Sequence, residues 1–195
     1  MTEELNARYL AKFDEISRLA SEIAFESIST ENGDAKNLER AQKEFENILI
    51  DAYLEGFAFA AYMLGESSIE ADTDEIIETV YYTYQGDKDS VQDKFAAYYE
   101  DGDAESIKRL IESEFHRVHQ MAGFQAAYKT DGAWKRWETM EDWKVRDTHS
   151  YIRGIEVPIQ EDFVTFDGDR AKYPGGFSKA QNNANCRCAL SYTRI

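Results

Sequence analysis

The first 130 residues of this chain contain no proline and few internal glycines, and both prolines, Pro158 and Pro174, lie in the last third. Proline removes a backbone donor and clashes with the preceding helical turn, and glycine is a poor helix former. A chain free of both breakers over that length is open to long helices. Its apolar residues agree: Leu5, Tyr9, Phe13, Ile16, Leu19 and Ile23 recur at three- and four-residue steps, the stripe of an amphipathic helix. A turn is expected over residues 28–37, where Asn32-Gly33 interrupts the pattern and Asp34 can cap the next helix. A second helix from Lys36 to Leu64 places Phe45, Leu49, Tyr53, Phe57 and Ala60 on one side, with Gly65 to end it. A third is expected from Thr73 to Tyr84, ending at Gly86; its β-branched and aromatic run IIETVYYTY keeps strand open as the alternative. A short fourth helix covers Asp89 to Tyr99 and stops before Gly102. The fifth is the most regular: Ile107, Leu110, Ile111, Phe115, Val118 and Ala122 repeat toward Tyr128, with Asp103 or Ser106 as its start.

After Asp131-Gly132 the character changes. AWKRWETMEDW is aromatic with partial alternation, EVPI and CALSYT read as short strands, and Tyr173-Pro174-Gly175-Gly176 reads as a loop. The expected fold class is α+β: a mainly helical N-terminal body (residues 1–102), then a small C-terminal α+β module with short antiparallel strands (residues 103–195).

Composition narrows the function classes. The net charge of −16 is uneven: residues 1–134 carry 12 Lys/Arg against 29 Asp/Glu, whereas residues 135–195 carry 10 against 9. The first part should repel nucleic acid, while the second is neutral and studded with arginines that suit a phosphate or a carboxylate. The longest uninterrupted apolar stretch, around Phe57 to Leu64, is far shorter than the roughly 20 residues a bilayer requires, so no membrane span is expected. No basic region precedes an apolar one at the N-terminus, which implies synthesis in a cytosol. Two cysteines at i and i+2, Cys186 and Cys188, would close a small strained ring, so a disulfide between them is not expected.

The reactive side chains gather near the C-terminus. Asp142, Arg146 and His149 are spaced i, i+4, i+7, one face of a helix if the segment is helical, and Asp142 could then pair with Arg146. Asp147 could instead orient Arg146 or His149. Such a trio can bind an anion or move a proton; a buried polar network that fixes a small module is the preferred reading. An extended Cys186-Arg187-Cys188 puts both sulfurs on one side. With His149 they could begin a zinc site, but zinc fingers place two to four residues between cysteines, so small packing cysteines and no metal or cofactor are preferred. His116 and His119, three apart on the fifth helix, could add ligands; a solvated or hydrogen-bonded helix rim is preferred.

Taken in order, these pieces resemble the phage Mu F-like minor head protein family, the phage head morphogenesis proteins. Ser113-Glu114 lies in the fifth helix, followed by Trp137 and Thr139, then Asp142, Arg146 and His149, then Gly154, Val157-Pro158 and Phe163. Pro174-Gly175 and Asn185-Cys186-Arg187-Cys188 close the match, which covers about residues 107–190. The resemblance implies a minor component of a tailed-phage head, made in the host cytoplasm and carried in the virion, inside the head near the portal. It implies association with the portal protein, with scaffold, major capsid protein and packaged DNA as further partners, no membrane in the assembled head, and a part in assembly, packaging or ejection.

Three readings are open. The adopted one is a minor capsid protein without catalytic residues, in which Asp142, Arg146, His149, Asn185, Cys186 and Cys188 form one compact structural cluster. The alternative is a nuclease or toxin-like phosphodiesterase using His149 as general acid or base and Arg146 to hold phosphate. In the third, Arg146, Arg153, Arg170, Lys172 and Arg187 contact DNA, against pairing of these cations with nearby acids such as Asp142, Asp147, Asp167 and Asp169.

Overall fold

The structure is a computed structural model that describes residues 3–29, 35–66, 68–82 and 90–195. Five helical segments come first: α1 (Glu3–Ser29), α2 (Ala35–Leu64), α3 (Thr73–Ile77, continued by a π-helical turn over Glu78–Tyr82), α4 (Val91–Glu100) and α5 (Ala104–Tyr128). Then come β1 (Ala133–Glu138), α6 (Asp147–Ile152), β2 (Glu156–Pro158), β3 (Phe163–Val164), β4 (Arg170–Ala171), α7 (Ala180–Asn183) and β5 (Ala189–Arg194). The α+β class read from the sequence is the class found. The turn expected over 28–37 centres on residues 30–34, and the end of the third helix on 83–86; both lie outside the described residues. Of the two options for IIETVYYTY, its described part takes the helical one, widened to a π turn.

Two compact units make up the chain, residues 1–51 with 72–115 and residues 52–71 with 116–195. In the first, the stripe on α1 is realised by buried Tyr9, Ile16, Ala20 and Ile23. Phe45 of α2 packs on Phe95 of α4 with ring centroids 5.1 Å apart, and Phe13 meets Phe115 edge-on at 6.3 Å. Such pairs add to the burial of their apolar area, the main stabilising term of a helical core. Ser90 caps α4 by accepting from Asp93 N at 3.0 Å, and Asp103, rather than Ser106, caps α5 by accepting from Ser106 N at 3.1 Å.

The second unit is built on a three-stranded antiparallel sheet of order β2-β1-β5, with Trp137 opposite Leu190 and Trp134 opposite both Thr193 and Pro158. A separate β3-β4 ribbon pairs Phe163 with Ala171. Alternation along β1 sends Ala133, Lys135 and Trp137 inward. Within this unit the C-terminal half of α2 approaches α5 at glycines: a Cβ on Gly56 would lie 2.1 Å from the His119 carbonyl oxygen, and one on Gly123 would lie 3.2 Å from the Gly56 carbonyl oxygen.

One helix is more apolar than its longest uninterrupted stretch suggests. An 18-residue window of α2 is long and apolar enough to cross a membrane by length and composition, and half of it is buried inside the protein. The uninterrupted apolar stretch alone does not reveal this window, because scattered polar residues break it up without lowering its average enough. Partial burial is what the core helix of a folded domain also shows.

Candidate functional site

The site lies in the second unit, where β1, α5, α6 and the segment before β5 bring their reactive side chains together. Its geometry starts with Asn185, whose φ of 53° is in the left-handed region that asparagine tolerates better than most residues. That turn, closed by Cys186 N donating to Asn183 O at 3.1 Å, delivers an extended Cys186-Arg187-Cys188. Alternation then points both sulfurs inward, where both cysteines are buried as free thiols. Arg187 points outward, and its Nη2 donates to both carboxylate oxygens of Asp142 at 2.8 Å, which holds the Asp142 carboxyl below its ordinary pKa.

His149 projects from α6 onto the same point. Its Nδ1 lies 3.3 Å from Cys188 Sγ and 3.6 Å from Cys186 Sγ. The ring is buried, stacked on Phe177 at 5.3 Å and set edge-on to Trp137 at 5.4 Å, and Nε2 has no hydrogen-bond partner. His116 of α5 lies near enough to act on the Cys186 thiol. Among these groups the Cys186 thiol is held well below its ordinary pKa, chiefly by the hydrogen bond from Cys188 and then by His116 and His149, against burial. The second thiol, Cys188, is pushed up by Cys186 and by burial. The pair thus releases one proton readily and resists losing the second.

A polar scaffold orients these groups. Thr148, next to His149, donates to Asn182 Oδ1 at 3.0 Å, and Asn182 donates to the buried Asp169 at 2.9 Å. Asp169 also accepts from Ser178 N and Oγ, Lys179 N and Arg170 N. Burial alone would raise the Asp169 pKa; these bonds, led by Ser178 and Asn182, hold it far below the ordinary carboxylate range. Asn183 clamps Phe177 against His149 through both Phe177 N and Phe177 O, at 3.0 and 2.6 Å. Sequence reasoning named none of Asp169, Asn182, Asn183 and Phe177 as cluster residues; a group of Asn and Ser around Phe177 was the only hint.

The predicted residues are therefore brought largely together. Arg146, His149, Asn185, Cys186, Arg187 and Cys188 line one cavity of about 20 Å³, with Met140, Lys144 and Val145. Asp142 does not line the cavity itself and joins it through Arg187 and through the backbone N–H groups of Lys144 and Val145. The proposed one-face helix fails, because α6 begins at Asp147 and leaves Asp142 in the preceding turn. Arg146 does not pair with Asp142; it donates to the Ala184 carbonyl. His116 and His119 are both buried, not on a solvated rim, while the hydrogen-bonded half of that expectation holds for His119, whose Nδ1 meets Gln120 Nε2 at 3.3 Å. His119 packs beside Phe59 with centroids 6.0 Å apart, and burial, aided by the nearby His116, lowers its pKa to about 3. Three candidate DNA contacts are paired with acids: Arg153 with Glu141 at 3.7 Å, Lys172 with Asp162 at 2.9 Å, and Arg187 with Asp142. Arg170 is exposed.

Comparison with known proteins places this unit. The chain matches the family profile described as "Phage Mu protein F like protein" over residues 76–191, more than half its length, and earlier than the residue 107 from which the resemblance was read. It is similar to the minor head protein GP7 of Bacillus phage SPP1, 34% identical over 83 residues that cover 41% of this chain and 27% of the relative. The match thus spans about a quarter of that protein. No solved structure matches. With the family profile covering residues 76–191, and so the whole ordered motif set, and with a minor head protein as a relative, the chain belongs to the phage Mu protein F-like family.

Proposed function

We propose that this protein is a minor head protein of a tailed phage, carried in the virion inside the head, which associates with the portal and assists assembly, DNA packaging or ejection. The observation that carries the reading is the family match, which covers the whole thiol and imidazole cluster and the supporting sheet as far as the first half of β5. The similarity to a minor head protein over 83 residues supports it. A role without catalysis is part of the proposal. The cavity at His149, about 20 Å³, is far below the roughly 300–1,000 Å³ of small-molecule sites. A larger cavity of about 600 Å³ in the same unit is lined mainly by apolar residues, including Leu54, Phe57, Ala58, Ala61 and Ile69. Its carboxylate, Glu66, is paired with Arg194.

The test is incorporation. Mass spectrometry of purified virions should find this chain at a few copies per head, and co-expression with the portal protein of the same phage should co-purify the two. Absence from virions and from procapsids overturns the reading. The nuclease alternative is tested by incubating the chain with RNA and DNA beside His149→Ala; cleavage abolished by that substitution would establish it.

A further inference from the structure

We propose that Cys186, Cys188 and His149 Nδ1 bind one thiophilic divalent metal, zinc by preference, as three ligands of a four-coordinate site. The inference rests on geometry and is independent of the head role. One ligand atom from each of the three residues lies within 4.8 Å of the others. Zinc bonds of about 2.3 Å to sulfur and 2.0–2.1 Å to nitrogen at tetrahedral angles separate nitrogen from sulfur by about 3.5–3.6 Å. The distances found from Nδ1 are 3.3 and 3.6 Å.

A thiol hydrogen-bonded to an imidazole needs only one such distance. A ring nitrogen carries either one lone pair or one N–H, so serving two sulfurs at once takes a shared, weaker bond. Both sulfurs converge on the same nitrogen, and a metal at their common centre accounts for both approaches. Nδ1 is also the free edge of the ring, since the other side of His149 is enclosed by Phe177 and Trp137. His116 on α5 acts on the Cys186 thiol, which makes it the residue to test for the fourth position.

The surroundings fit a pair of bound thiolates. Trp137 Nε1 and Arg146 Nη1 are buried without a hydrogen-bond partner, and both residues act on Cys188. Neutral thiols are weak acceptors and leave such donors costly to bury. Thiolates on a metal accept them and turn an expense of burial into support for the ligands. Two soft sulfurs and an imidazole select zinc over magnesium or calcium. The small aromatic-walled cavity suits a structural ion rather than an open catalytic one. Such a metal would tie α6 to the start of β5. The one-residue spacing hides the site from sequence: Arg187 faces out to Asp142, and the turn at Asn185 takes the place of a finger's longer loop.

The experiment uses the full chain, purified under reducing conditions without chelator or metal-affinity resin. Elemental analysis should find about one zinc per chain. The metal is then stripped and cobalt added, and the expected signature is a thiolate-to-cobalt charge-transfer band together with tetrahedral visible bands, saturating at one equivalent. Cys186→Ser and Cys188→Ser should each weaken cobalt binding by more than about 100-fold, beyond the loss from an outer-shell partner. His116→Ala should weaken it at least 10-fold; unchanged affinity removes His116 from the site. The proposal is overturned if the fresh protein holds less than about a tenth of a thiophilic metal per chain and the stripped, folded wild-type chain gives no thiolate band with cobalt. That pair of measurements decides the matter even if the cysteine variants do not fold.

Discussion

Lys135 occupies an inward position of β1 and is fully buried, with its Nζ donating to Lys172 O at 2.9 Å and lying 4.8 Å from the centroid of Phe124 and 5.2 Å from that of Phe163. Burial, reinforced by the charge of Lys172, lowers its pKa to about 7. Between pH 7 and the ordinary lysine range the unfolded chain holds a proton that the folded chain has released, so this group makes stability rise with pH across that window. Lys135→Met removes a buried cation at the cost of one hydrogen bond. It should stabilise the protein by about 1–3 kcal/mol at pH 7, with a smaller gain at pH 9. Urea unfolding of both proteins at the two pH values checks this; a variant less stable at pH 7 would show that the rings and the Lys172 carbonyl outweigh desolvation. The partial alternation of AWKRWE is realised as β1, but it left open which face is buried, because a lysine among tryptophans reads as equally suited to either side.

At the scale of elements, the helices were legible because their apolar residues repeat every three or four positions, and Gly65 and Gly102 end helices where expected. The site was less so. A spacing of four and seven residues, from Asp142 to His149, implies a shared helix face only if the helix runs through it, and this one starts at Asp147. The histidines of α5 were misjudged for a different reason. Beyond Phe115 that helix buries His116, Val118, His119 and Gln120 together, so a narrow stripe pattern under-reads it. The same crowding explains Gly56. A methyl group there would sit 2.1 Å from the His119 carbonyl, a backbone atom that cannot rotate away. Gly56→Ala should therefore destabilise by about 3 kcal/mol or more. Gly65, with a φ of 68° and nothing within 4 Å of an added Cβ, is the control. Gly65→Ala should cost only the left-handed backbone strain, about 1–2 kcal/mol. Denaturant midpoints of the two variants check the ranking, and equal losses would contradict the close approach.

Over the whole molecule the dominant quantity is charge, −16 in total, with the acidic excess confined to residues 1–134. Two opposing effects respond to salt. Surface ion pairs such as Arg18–Glu22 and Arg40–Glu26 are screened and lost, but exposed pairs are worth about 0–1 kcal/mol each. Repulsion among 29 acidic residues facing 12 basic ones is screened at the same time, and it acts on the compact state as a whole. The repulsion outnumbers the pairs, so it should win. Raising NaCl from about 20 mM to about 300 mM at pH 7 shortens the Debye length from roughly 20 Å to below 8 Å. The thermal midpoint should then rise by about 2–4 °C, the equivalent of about 1 kcal/mol for a chain of this size. The same titration near the isoelectric point of about 4.6 should move the midpoint little, because the net charge there has vanished. A midpoint that falls with salt at pH 7 would mean that the ion pairs, not the repulsion, govern this surface. The pairing of Arg153, Lys172 and Arg187 with neighbouring carboxylates would then matter more to stability than net charge does.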